Sequence, residues 1–353
     1  MFTTLGFHHV TLVARDVRAT LAFYRDLLGF CLVKRTVNFD DPSSYHLYFG
    51  NETGAPGSIV TFFEWPASAP GRYGIGGIHH HAFSTATRDT LLQWKRWLNG
   101  RGVPTSGPME RGYFTSLYFR DPDGQVLEIA TRGPGYASDE PIDALGATQT
   151  QPSAMQLPGG RDEAPIAAET WPEPVAAITP EMQLAGLHHV TGMTDDLDRA
   201  SEFYEAALGL KMVKRSVNQD SPDVLHYFWA NYDGTRVLPG SSLTMFGWPP
   251  RAPRAQYGAG QTHHIAFRAP DREAQAAWRE HLLSIGLQVS PVMDRTYFES
   301  IYFRAPDGML FEIATDTPGF SVDEAELGSA LKLPEWLEAQ RSEIEGALHE
   351  LGG

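Results

Sequence analysis

Apolar and polar residues alternate over residues 7 to 15, which predicts a strand, and the period then changes. Val17, Leu21, Tyr24 and Leu28 stand at helical spacing, so Val17 to Leu28 is expected to be a helix with one buried face, with Gly29 at its C-cap. Strand-like runs follow at Cys31 to Asn38, Tyr45 to Phe49 and Ser58 to Trp65, separated by turn-forming Asp, Pro, Ser and Gly. The same plan returns with a strand at Gly77 to Ser84, a helix at Arg88 to Gly102, and a hairpin of Thr115 to Arg120 with Gln125 to Thr131. That hairpin turns on Asp121-Pro122-Asp123-Gly124. Residues 186–249 and 261–316 repeat the two patterns, the last hairpin turning on Ala305-Pro306-Asp307-Gly308.

One unit of strand, helix and three strands thus occurs four times, in two duplicated halves. The expected fold class is α+β, with four βαβββ modules in two duplicated halves. Residues 1–138 form an expected N-terminal domain (modules 7–65 and 77–131), and 185–320 a C-terminal one (modules 186–249 and 261–316). Between them, 139–184 is rich in Pro, Ala, Gln and Glu without periodicity and reads as a linker that packs in part on the surface. In the tail, 321–353, an amphipathic helix is expected over Pro334 to Leu351. Its Trp336, Leu337, Ile344, Leu348 and Leu351 suit docking on the body or on another subunit.

Length and composition narrow the picture. A chain of 353 residues, 42% hydrophobic and 20% charged, fits two ordinary globular domains. A net charge of −15 argues against a nucleic-acid or anionic-membrane surface. Cys31 is the only cysteine, so an intramolecular disulfide and thiolate metal sites are excluded, and its strand setting favours a buried, inert thiol. No leader precedes the first histidines and no apolar run approaches the ~18 residues of a membrane span. The expected location is cytoplasmic.

The chemistry lies in what the repeats carry. Gly6-Phe7-His8-His9-Val10-Thr11 returns as Gly186-Leu187-His188-His189-Val190-Thr191, and Ile78-His79-His80-His81-Ala82-Phe83 as Thr262-His263-His264-Ile265-Ala266-Phe267. Leu127-Glu128-Ile129-Ala130-Thr131 returns as Phe311-Glu312-Ile313-Ala314-Thr315. Two histidines and a carboxylate per half match the ligand set of a non-haem Fe(II) site. Neighbouring strand residues point to opposite faces, so only one histidine of each pair is expected in a cavity. His8 shares a face with apolar Val10 and Leu12, and His263 with Ile265 and Phe267, which leaves His9 and His264 as the cavity residues. Tyr302 and Glu312 are equidistant from Asp307 and should pair across the hairpin. A glutamate flanked by core residues is costly to bury unless a cation neutralises it. Arg111-Gly112-Tyr113-Phe114 and Arg295-Thr296-Tyr297-Phe298 also recur.

On these residues the chain resembles the vicinal oxygen chelate superfamily of glyoxalases, bleomycin-resistance proteins and extradiol dioxygenases, which implies mixed sheets curling around metal-bearing cavities. It is most similar to the group of ring-cleaving dioxygenases that open hydroquinones. The resemblance implies Fe(II), with Mn(II) as an alternative, on His9, His264 and Glu312. It places His8, Thr11, His263, Arg295 and Tyr302 around that metal in catalytic roles. His263, His8 or Tyr302 would take the proton of a ring hydroxyl, and Arg295 would stabilise oxygen charge. A small aromatic and O2 are the implied partners, and a homo-oligomer is expected. His80, His189 and Glu128 form a complete mate set, either a second metal site or a retained fold element. A different module pairing would instead group His9 with His80 and Glu128, and His189 with His264 and Glu312. Two other functions fit the same family: a glyoxalase-type isomerase, and a metal-free small-molecule binder. Val33-Lys34-Arg35-Thr36-Val37-Asn38 and its mate at 213–218 either line a cavity mouth or, as the preferred reading, form a surface ion-pair edge. His46 and His226 also match, with a structural role preferred.

Overall fold

The computed structural model describes residues 2–351. The first module runs through β1 (Phe7–Ala14), α1 (Val17–Leu21) continued by a π-helical stretch over Ala22–Leu27, then β2 (Cys31–Asn38), β3 (Asp41–Gly50) and β4 (Ile59–Glu64). The second holds β5 (Ile78–Thr85), α2 (Arg88–Asn99), β6 (Ser106–Glu110), β7 (Thr115–Arg120) and β8 (Val126–Thr131). After α3 (Glu163–Ala168) the third module follows, with β9 (Leu187–Thr194), α4 (Leu197–Leu208), β10 (Lys211–Asn218), β11 (Ser221–Ala230) and β12 (Ser242–Gly247). The fourth has β13 (Thr262–Ala269), α5 (Arg272–Ser284), β14 (Met293–Asp294), β15 (Phe298–Arg304) and β16 (Leu310–Pro318), and α6 (Arg341–Ala347) lies in the tail. The short edge strands β6 and β14 escape the hydrophobic pattern because neither carries an alternating apolar run.

Among the described residues sixteen strands form two eight-stranded mixed sheets, and these correct the expected domain boundaries. One sheet runs β14-β15-β16-β13-β1-β4-β3-β2, joining the first module to the fourth. The other runs β10-β11-β12-β9-β5-β8-β7-β6, joining the second to the third. Within the described residues the compact units are accordingly Phe7–Arg72 with 256–351, and 2–6 with Tyr73–Ala255, rather than 1–138 and 185–320. The physical reason is edge pairing: β1 lies antiparallel to β13, and β5 antiparallel to β9. Modules adjacent in sequence do not share these central ladders. The fold class stands as α+β built from repeated modules, with the sheets curled into half-barrels.

Segment 139–184 is not a structureless linker. Lys214 is fully buried and pairs with Asp139 and Glu140, both just beyond the β7–β8 hairpin. In the other unit Lys34, equally buried, bonds Asp323 and Glu324 at 2.7 Å each, just beyond the β15–β16 hairpin. The two lysines are therefore internal clasps, neither mouth residues nor an exposed edge. A buried ammonium persists only with such partners. The tail docks on its own unit, where Leu337 and Ile344 pack with Val37 and Leu333, while Trp336 stays half exposed beside Phe39. Its helix is shorter than expected, a 3-10 turn over Glu335–Gln340 followed by α6. Cys31 is half-buried. Among the described residues no helix is long and apolar enough to cross a membrane.

Candidate functional site

In the unit of modules one and four, sheet register lays out the site. Tyr302 pairs with Glu312, Glu312 with Ala266, and Ala266 with His9, so four neighbouring strands contribute one continuous row. The next row holds His264, Thr11, Thr61 and Tyr48. Side chains of a row share a face, and Ala266, between the carboxylate and the imidazole, leaves the space above it open. His9, His264 and Glu312 meet over that gap. Their Nε2 atoms are 3.2 Å apart, and Glu312 Oε2 lies 2.9 Å from His264 Nε2 and 3.6 Å from His9 Nε2.

The outer histidines do not obey strand alternation. His8 is skipped in the pairing of β1 with β13, and His263 is skipped on the opposite strand, so each sits in a β-bulge. The bulge turns the outer ring toward its neighbour: His8 Nδ1 lies 2.8 Å from His9 Nδ1, and His263 Nδ1 lies 2.8 Å from His264 Nδ1. The expectation that the two rings of a pair diverge is thus corrected. With Nε2 kept for a cation, the inner imidazole carries its proton on Nδ1 and donates it to the outer ring. Burial lowers His8 to about 4, His263 and His264 to about 3, and His9 well below its ordinary value, so all four are neutral near pH 7. Neutral imidazole is the form that ligates metal.

The donor set passes a direct test of fit. Glu312 is wholly buried, its Oε1 accepts a hydrogen bond from Ser300, and its Oε2 has no hydrogen-bond partner. An orphaned carboxylate oxygen facing two basic nitrogens is unfavourable by itself and favourable around a divalent cation. Ser300 is a residue the repeats could have flagged, since it stands two positions before Tyr302 as Ser116 does before Tyr118.

A cavity of about 370 Å³ opens over this cluster, lined by His9, His264, His263, Arg295, Tyr302 and Phe298 among others. His8 is not on its wall: it stands behind His9, against Phe298. Thr11 is also off the wall, bonded to Thr61 at 2.8 Å. His46, read from sequence as structural, does line the cavity, where its Nε2 meets Thr61 Oγ1 at 2.8 Å and its Nδ1 meets Tyr48 Oη at 3.0 Å. Arg295 donates from Nε to Tyr302 Oη at 3.3 Å, and burial raises the Tyr302 phenol well above its ordinary value, so it stays protonated. Thr296, next to Arg295, has φ 69°, a left-handed conformation that strains a β-branched residue.

The other unit repeats this arrangement at His80, His189 and Glu128. Neither cluster mixes ligands across the alternative module pairing, and among the described residues each of these two groups holds two histidines and one glutamate.

The family model for the Glyoxalase/Bleomycin resistance protein/Dioxygenase superfamily matches residues 6–129 and 186–313. The chain belongs to this superfamily. A Bacillus subtilis protein named as a candidate ring-cleaving dioxygenase, MhqO, is 35% identical over 98% of this chain and 96% of its own. The chlorohydroquinone/hydroquinone 1,2-dioxygenase of Sphingobium indicum is 31% identical, over 96% of this chain and 94% of its own. The crystal structure of a candidate dioxygenase from Bacillus subtilis superposes with a TM-score of 0.78 at 34% identity, covering 99% of this chain and 98% of that one. These three relatives, 31–35% identical over nearly the whole chain, bear dioxygenase names.

Proposed function

We propose that the chain is an Fe(II)-dependent dioxygenase that opens a hydroquinone-like or catechol-like ring with O2 at His9, His264 and Glu312. The observation that carries this reading is the orphaned, buried Glu312 Oε2 held against two neutral imidazole nitrogens on a cavity wall. Whole-length similarity to the Sphingobium hydroquinone dioxygenase supports the substrate class. Iron bound there would supply a Lewis acid with open positions for a ring oxygen and for dioxygen. Two histidines and one carboxylate leave those positions free, whereas glyoxalase-type isomerisation is served by a fuller protein ligand set.

The protein's own groups favour an anionic ring oxygen. His263, with Nδ1 engaged by His264, presents an N–H at Nε2, Tyr302 presents its O–H, and Arg295 brings a fixed positive charge. All three are donors, and none is a ready base near pH 7. These groups suit a ring oxygen that has already lost its proton, and the wall would stabilise that oxyanion. His8 acts at one remove, by holding the His9 ring through Nδ1. Thr11 acts through Thr61 on His46.

Oxygen consumption by protein loaded anaerobically with Fe(II), then mixed with hydroquinones and catechols, tests the reading. The expected result is one O2 consumed per ring opened. Hemithioacetal isomerisation without oxygen uptake would replace the dioxygenase by the isomerase. Tight binding of aromatics by protein that takes up no metal would replace it by the binder.

A further inference from the structure

We propose that His80, Glu128 and His189 form a second metal centre that binds a divalent first-row transition cation independently of the first. The inference shares the donor chemistry of the function proposed above but concerns a different unit of the chain. All three ligands lie within Tyr73–Ala255.

The second cluster is built as fully as the first. His80 Nε2 and His189 Nε2 are 3.2 Å apart, and Glu128 Oε2 lies 3.0 Å from one and 3.3 Å from the other. The carboxylate is thus shared more evenly than in the other unit, where the two distances are 2.9 and 3.6 Å. Glu128 has no exposed surface, its Oε1 accepts from Ser116, and its Oε2 has no hydrogen-bond partner. The row Tyr118, Glu128, Ala82, His189 again crosses four strands with an alanine beneath the gap.

Both supporting histidines are in place as well. His79 and His188 are the residues skipped in the β5–β9 ladder, and they reach the inner rings Nδ1 to Nδ1 at 2.8 and 2.9 Å. Above the cluster lies its own cavity of about 470 Å³, with Arg111, Tyr118 and His226 on the wall. A cluster kept only for packing has no use for a buried glutamate. An apolar residue of similar volume would avoid the desolvation of the carboxylate. One feature differs: Thr191 Oγ1 lies 2.9 Å from His80 Nε2, but it also lies 2.7 Å from Thr244 Oγ1. On metal binding the hydroxyl turns its proton to Thr244 and releases the imidazole nitrogen.

The test is metal stoichiometry, measured without turnover. Anaerobic, metal-free protein is loaded with Mn(II), passed through a desalting column and analysed for Mn and protein, with Co(II) absorption as a second readout. Wild type should hold two ions per chain, Glu128→Gln one, Glu312→Gln one, and the double variant none. The isosteric change keeps the core filled, and circular dichroism checks the fold. One ion in wild type that survives Glu128→Gln and is lost in Glu312→Gln overturns this proposal and leaves the proposed function intact. One ion lost in Glu128→Gln instead supports the second centre and overturns the location assigned to the first. No ion in wild type overturns both.

Discussion

The two units carry the same donor set beneath different rims. Around His9, His264 and Glu312 the wall includes Phe39, Tyr48, Phe63 and Trp65. Around His80, His189 and Glu128 the wall has Gln219 where the first unit has Phe39, and Phe228, the counterpart of Tyr48, lies in the hydrophobic core off that wall. Arg295 leans on Tyr302, with Asp40 no nearer than 3.5 Å. Arg111 is clamped by Tyr118 at 3.1 Å and Asp220 at 2.9 Å, and Asp220 is itself held at 2.9 Å by Arg161 from the segment after the hairpin. On the function proposed above, the donors and bulges would set the chemistry of a cavity, and the rim would select the ring that reaches it. Duplication kept the first and varied the second.

The largest effect expected is on Glu312. Glu312→Gln should reduce ring cleavage to background, as seen in product formation, since it removes the charge that balances the cation. Retention of turnover would move the reaction to the other unit. Next is His263. His263→Ala should lower metal affinity or activity about 10- to 100-fold, the range for groups that hold a ligating histidine. His263→Asn, whose Oδ1 can still accept from His264 Nδ1, should recover part of it. A role confined to packing would give equal losses in both variants.

Acid should separate stability from chemistry. His8 titrates near 4 in the folded chain against 6.5 when unfolded, because burial disfavours its charged form. As pH falls through 6.5 the unfolded chain binds the proton first, so stability is full above that value and declines until the folded state protonates near 4. His8 alone accounts for a loss of roughly 3 kcal/mol over that window. Urea midpoints of the metal-free protein at neutral and acid pH check this, and His8→Phe should flatten the slope.

Rim exchange is a subtler probe. Phe39→Gln should raise KM for a hydroquinone several-fold and leave kcat nearly unchanged, because the residue gives the cavity wall an apolar surface and no group that takes part in chemistry. The smallest effect is at Thr296, which adopts φ 69° where its counterpart Gly112 has φ 89°. Thr296→Gly should stabilise this unit by about 1 kcal/mol, offset in part by the greater freedom of the unfolded glycine. It should also lower activity if the strain aims Arg295.

Much of this was legible in the sequence because the repeats report on one another. Strand and helix order, the Asp-Pro-Asp-Gly hairpin, and the pairing of Tyr302 with Glu312 all follow from period and turn chemistry. Domain boundaries were not legible. Four similar modules give no local sign of which edges pair, and β1 joins β13 across more than half the chain. Alternation chose His9 and His264 but misplaced His8 and His263, because a bulge adds a residue without changing the hydrophobic pattern. Lys34 and Lys214 were misread because their partners, Asp323, Glu324, Asp139 and Glu140, lie in segments without periodicity. The pairing of residues just after each hairpin with these lysines was itself repeated, in Asp139-Glu140 and Asp323-Glu324, and could have been found.

The most direct test of the central claim is isotopic. Protein loaded with Fe(II) is given a hydroquinone under ¹⁸O₂, and the ring-opened product is weighed by mass spectrometry after rapid quenching. Incorporation of both atoms of one dioxygen molecule is the predicted result, with none in Glu312→Gln. Ring-opened product without ¹⁸O, its new oxygen drawn from the unlabelled water, or an unlabelled isomer of the substrate, would contradict it.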